Sequence, residues 1–131
     1  MVIDTSALLA ILLDEPDAER LVQAIIDAEV RQLGAPSMVE AAAVMLAKKG
    51  AAGEIALDAL VQRLDIDIVL MSAEAASVAR RGYRLFGKGV GTPGVLNYGD
   101  CLSYGIAMAS GEPLLFKGAD FSRTDVLVAV Y

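Results

Sequence analysis

The 131-residue chain has no histidine, no tryptophan and a single cysteine. Without histidine there is no imidazole base, no histidine-ligated zinc and no Ser-His-Asp triad. A lone Cys101 excludes a disulfide framework, an all-cysteine metal site and a CxxC redox pair, and with no basic partner in sequence it reads as a small buried residue. Chemistry must therefore come from carboxylates, hydroxyls, lysine or backbone. Aromatic residues make up only 5% of the chain, so its core is expected to be Ala, Leu, Val and Ile. Long apolar runs are missing too. The longest, Ala7 to Leu13, lies between Asp4 and Asp14 and falls short of the roughly 18–20 residues that a spanning helix needs. It also lacks the basic flank and cleavage site of a signal peptide. No membrane is expected, and the chain reads as cytoplasmic. There is no cationic excess either: the net charge of −6 argues against a nucleic-acid binder that relies on a global positive field.

What is present fits one domain over residues 1–131, since domains commonly run to about 100–150 residues. Met1-Val2-Ile3-Asp4 reads as a buried strand ending in an acid, and Thr5 or Ser6 can cap a helix to about Leu13. Glu15-Pro16-Asp17 breaks it before a second helix with Leu21, Val22, Ile25 and Ile26 at amphipathic spacing. Val30 to Ala35 reads as a strand, Ser37 to Lys49 and Gly53 to Leu64 as helices, and Ile66 to Met71 as another strand. Ser72 can cap a helix to about Phe86, which a Gly-rich loop, Gly87 to Gly94, follows. Tyr98-Gly99-Asp100 opens a helix to about Ser110, and strands are expected at Leu114 to Phe116 and Val126 to Val130. Short strands alternating with helices imply an α/β fold, a parallel sheet with helices on both faces. In such sheets, ligands sit at the carboxyl ends of the strands.

Four acids stand at element boundaries: Asp4, Glu40, Asp100 and Asp120. Each has a structural explanation. Asp4 can cap the first helix, and Ser37-Met38-Val39-Glu40 matches a capping box. Asp100 suits a helix N-terminus, and Asp120 suits a Gly-containing turn. Together they suggest something else. Convergent carboxylates repel one another unless a divalent cation neutralises them. All-oxygen ligation suits Mg²⁺ or Mn²⁺, and such an ion can activate water against a phosphodiester. Asn97 can orient a carboxylate or the substrate, or shape the turn before Asp100.

Charge is also segregated. No acid lies between Glu74 and Asp100, whereas Arg80, Arg81, Arg84 and Lys88 do. The arginines fall near one helix face, and the stretch reads either as a solvated face or as a phosphate-backbone guide leading into the acidic centre. Lys117, in the loop after the Leu114 strand, is a further candidate RNA contact. Tyr98 can stack on a base or pack in the core.

The residues carry a resemblance. Met1-Val2-Ile3-Asp4-Thr5-Ser6-Ala7-Leu8 resembles the opening of PIN-domain proteins, specifically the VapC-type toxins of bacterial toxin–antitoxin pairs. Ser37 to Glu40, Leu96 to Cys101 and Pro113 to Phe121 agree in order and spacing. The resemblance implies a PIN-like three-layer α/β/α fold with a short central parallel sheet, and a Mg²⁺- or Mn²⁺-dependent endoribonuclease. Asp4, Glu40 and Asp100 match the three core acids, and Thr5 and Ser6 the hydroxyls that support the metal shell. Asp120 matches a second acidic position, while Gly118 stands where many relatives carry an acid. A homodimer and a VapB-type antitoxin are implied as partners, with the Ala7–Leu13 and Leu21–Ile26 helices as part of the antitoxin's groove or as plain core. Two other readings remain: a phospho-receiver-like domain, with Lys117 as its lysine, and a non-catalytic binding module with an acidic pocket.

Overall fold

A computed structural model describes all residues, 1–131. Four short strands, β1 (Val2–Ile3), β2 (Gln32–Gly34), β3 (Asp67–Val69) and β4 (Leu114–Leu115), form one parallel sheet in the order β3-β2-β1-β4. Helices α1 (Thr5–Leu12) and α2 (Ala18–Asp27) connect β1 to β2. Helices α3 (Ala35–Lys49) and α4 (Ala51–Arg63) lead to β3, and α5 (Ala73–Phe86) and α6 (Tyr98–Ser110) lead back to β4. Successive strands step outward from β1 to β3, and then the chain crosses to the other side of β1. Strand order therefore reverses between β1 and β4, and the crevice at their carboxyl ends is where such sheets hold ligands.

Side-chain alternation divides the core in two. Ile3, Leu33 and Leu115 face one side with Leu8, Leu21, Ile25 and Leu57, while Val2, Leu114 and Phe116 face the other with Tyr104 and Ile106. This gives three layers, as expected. Helix α5 lies so close to α6 that a Cβ on Gly105 would sit 2.7 Å from that of Ala79. No helix is long and apolar enough to cross a membrane.

Several element boundaries differ from expectation: neither Thr5 nor Ser6 caps α1, since Asp4 is its N-cap and both residues lie inside the helix. Ser37 does not cap α3: the helix starts at Ala35 with Gly34 as its N-cap, since Pro36 fits a helix's first turn. The proposed Ser37–Glu40 capping box therefore does not exist. Ser37 is buried inside the helix, with its hydroxyl 3.1 Å from that of Ser103 on α6. Helix α4 begins at Ala51 rather than Gly53. The strand expected over Val126 to Val130 is a single parallel bridge of Val128 to Leu114, because only Leu127 and Ala129 bond β4, both through Leu114, and three of the five residues are exposed.

Candidate active site

Asp4 leaves β1 at its carboxyl end and is only 3% exposed. Its backbone N–H donates to the carbonyl of Leu115 at 2.8 Å, so the sheet itself sets its position. The side chain caps α1: Oδ2 accepts from the Ser6 N–H at 2.9 Å and from the Ser6 hydroxyl at 2.6 Å. The Ser6 Oγ in turn accepts the Lys117 N–H at 3.0 Å. A hydroxyl with one hydrogen and two lone pairs is thus fully directed. Asp4 Oδ1 has no protein partner, yet no buried side-chain oxygen of the protein is unsatisfied. Oδ1 therefore reaches solvent from an otherwise enclosed side chain.

Glu40 lies in the body of α3 rather than at its third position. Its Oε2 accepts from the Thr5 hydroxyl at 2.8 Å, which ties it to the residue after Asp4. Its Oε1 lies against the first turn of α6, where a Cβ on Gly99 would approach to 2.4 Å. Asp100 belongs to that same turn. It forms the capping box that sequence reasoning placed at Ser37: Asn97 N–H donates to Asp100 Oδ2 at 2.7 Å, and Asp100 N–H to Asn97 Oδ1 at 2.8 Å. Burial pushes the Asp100 carboxyl up to about 6, against the lowering effect of the Asn97 amide. The charges of Asp4 and Asp120 raise it further, while Lys88 opposes them. Asp120 is exposed and pairs with Lys88 at 3.5 Å.

Asp4, Asp100 and Asp120 thus share one electrostatic environment, and Glu40 abuts it through Thr5 and Gly99. They do not form a closed cage: no three acidic side chains come close enough together to grip one ion. That geometry still suits Mg²⁺-type ligation, in which one or two carboxylates hold an ion that keeps several waters. Asp4 Oδ1, which has no protein partner, and the Asp100 carboxyl are the oxygens present for such an ion.

The cationic residues divide. Arg80, Arg81 and Arg84 share one face of α5, where with Ser77 and Val78 they line a hollow of about 570 Å³. Lys88 stands nearer the acids. The Lys117 ammonium pairs with Asp17, the N-cap of α2, and that contact keeps the Asp17 carboxyl below its ordinary range. Its backbone N–H, on Ser6, is what serves the site. In this structure the ammonium lies on Asp17 rather than on Asp4. Asn97 acts on Asp100 through the backbone of the turn. Burial, with Asp100 adding to it, pushes the Cys101 thiol up to about 11, so it stays protonated and inert.

Sequence reasoning missed the Asp17–Lys117 pair and the buried Tyr104, whose hydroxyl donates to Asp125 at 2.7 Å. No local pattern announces either contact.

Residues 1–127 match the PIN domain family model. Ribonuclease VapC30 of Mycobacterium tuberculosis is 50% identical over 126 residues, covering 96% of this chain and 95% of that protein. Among solved structures, the fold is similar to Mycobacterium tuberculosis VapC20, a sarcin-ricin loop cleaving toxin, with TM-score 0.76, 14% identity and coverage of 96% and 95% of the two chains. It is also similar to VapBC2 from Rickettsia felis bound to a promoter DNA fragment, with TM-score 0.74, 16% identity and coverage of 97% and 94%.

Proposed function

The chain belongs to the PIN-domain family, and from that premise we propose that it is a metal-dependent endoribonuclease, the toxin half of a VapBC-type toxin–antitoxin pair. The observation that carries this reading is Asp4, a buried carboxylate at the switch point of the sheet with one oxygen fixed by Ser6 and the other open to solvent.

Asp4 Oδ1 and the Asp100 carboxylate would hold the ion, taken here as Mg²⁺ or Mn²⁺. When bound, it supplies charge neutralisation and a more acidic water for attack on a phosphodiester. The rest falls to the protein. Ser6 fixes the Asp4 rotamer, and Asn97 shapes the turn that presents Asp100. Thr5 occupies Glu40 Oε2, which leaves Oε1 as the atom to receive a proton from the attacking water. Asp120, exposed and paired with Lys88, serves at the rim, where the pair can separate as a phosphate takes the ammonium. The RNA backbone is held along Arg80, Arg81 and Arg84.

A VapB-type antitoxin is the proposed partner, supported by the relatives' names and by the VapBC structural neighbour. Leu9, Leu12, Leu13 and Val22, half-buried on α1 and α2, would line its seat. A homodimer and a cytoplasmic location complete the proposal.

The test is RNA cleavage by the purified protein with Mn²⁺ or Mg²⁺. Asp4→Asn keeps an acceptor for the Ser6 N–H, so the variant should fold and lose cleavage. A folded Asp4→Asn variant that still cuts with metal present would refute the assignment, as would cutting undiminished by chelator.

A further inference from the structure

Beside the first turn of α6 lies a second hollow, of about 470 Å³, whose lining is almost entirely apolar. Its volume lies in the range of about 300–1,000 Å³ typical of small-molecule sites. Tyr83 of α5, Tyr98 and Leu102 of α6, and Val90 of the Gly-rich loop line it. Tyr98 is 76% exposed and Val90 61%, so neither is consumed by core packing. Arg80 and Arg84 complete the wall, and both also line the polar hollow that holds Arg81. The two hollows therefore share a cationic ridge. None of the four ion pairs in the structure uses Arg80, Arg81 or Arg84, although the chain carries a net charge of −6.

An occupant matched to this surface has a flat apolar part for the groove and an anionic part for the ridge. We propose that the groove between α5 and the first turn of α6 is a subsite for one unpaired nucleobase of an RNA strand, stacked on Tyr98, with the flanking phosphates on Arg80 and Arg84. Position supports the assignment: Tyr98 lies in the same helical turn as Asp100, and Cys101, the residue after Asp100, also lines the groove. Asp100 itself is not in the lining, so a strand whose scissile phosphate lies at the acids would have to cross the N-terminal end of α6 to reach the groove. The stacking requirement also restricts the substrate class. Bases inside an A-form helix have both faces covered and lie in a groove that side chains cannot enter, so the reader of such a pocket is a single strand or a loop. This subsite rests on the nuclease reading above, which it deepens.

The test uses the full-length chain with Asp4→Asn, so that bound strands stay intact. Short single-stranded RNAs carry a fluorescent adenine analogue at successive positions, and a parallel set carries an abasic residue there. One register should show quenching on binding and roughly tenfold weaker binding when its base is removed, the size expected for one base–aromatic stack. Tyr98→Ala in the same background should abolish both effects, and Tyr98→Phe should retain them. An abasic penalty unchanged by Tyr98→Ala overturns the proposal. So does a Tyr98→Ala effect on self-association in sedimentation that leaves base dependence intact, because a second copy of the chain then fills the groove. If base-dependent binding persists while the unmutated chain cuts none of these strands with Mn²⁺, the nuclease reading falls and the subsite stands. If cutting occurs with no base dependence at any register, the subsite falls and the nuclease reading stands.

Discussion

A Cβ on Gly99 would sit 2.4 Å from Oε1 of Glu40. The contact joins the first turn of α6 to the middle of α3, so a side chain at position 99 would have to push the Glu40 carboxylate aside. Gly99→Ala should improve the local helix by up to about 1 kcal/mol yet displace Glu40. Displacement on the scale of 1 Å costs roughly 10²-fold in rate. The expected signature is an unchanged or raised Tm with RNA cleavage slowed by about that factor, and a variant that cuts normally would show that Glu40 takes no part.

Ser6 joins Asp4 Oδ2 to the Lys117 amide through one hydroxyl. Ser6→Ala leaves the Lys117 N–H without its acceptor and Asp4 with the Ser6 N–H alone. The cost expected for losing this part-buried hydrogen bond is about 0.5–1.5 kcal/mol, read by urea denaturation. Cleavage should fall with it, because the Asp4 carboxylate is then free to rotate. Ser6→Thr, which retains the hydroxyl, should restore much of both.

The Asp100 carboxyl, pushed up to about 6 from an ordinary 3.8, gives a pH dependence with a definite sign. Between these values the folded chain holds a proton that the unfolded chain releases. The stabilising difference is therefore full below the ordinary value and is lost as pH rises through the folded one. Metal-free wild type should lose more Tm than Asp100→Asn as pH is raised through that window. Added Mn²⁺ should recover the loss in wild type above about pH 6 and should do little in Asp100→Asn. Identical pH profiles for the two proteins would count against this account.

Gly82 faces Tyr104 across the α5–α6 interface, and a Cβ there would lie 2.5 Å from two ring carbons. Tyr104 has no room to move, being fully buried with its hydroxyl on Asp125. Gly82→Ala should destabilise the fold by about 1–3 kcal/mol through overpacking, and Tyr104→Leu in the same chain should relieve much of that clash. Calorimetry of the two single variants and the pair separates these contributions.

The legible parts of this molecule are those whose causes are local. The run Val2-Ile3-Asp4 announces a buried strand ending in an acid, and the switch from two-residue to helical spacing locates most elements. The capping box shows where such reading fails. Ser37–Glu40 and Asn97–Asp100 have the same spacing of polar groups, and only the second is a box. The first fails because Gly34 takes the extended cap conformation and Pro36 starts α3 earlier. The Lys117–Asp17 pair and the Tyr104–Asp125 hydrogen bond join residues far apart in sequence, so no periodicity encodes them. Arg80, Arg81 and Arg84 were placed on one face by helical spacing, but their separation from the acids depends on how α5 packs on α6.

The hydrogen bond from the Lys117 amide to Ser6 spans 111 positions. The strand that fixes Asp4 and the amide that secures Ser6 both belong to the far end of the fold, at Leu115 and Lys117. Without β4 and the residue that follows it, Asp4 has lost its sheet partner and Ser6 the donor to its hydroxyl, so this corner of the fold forms only when the two distant segments meet.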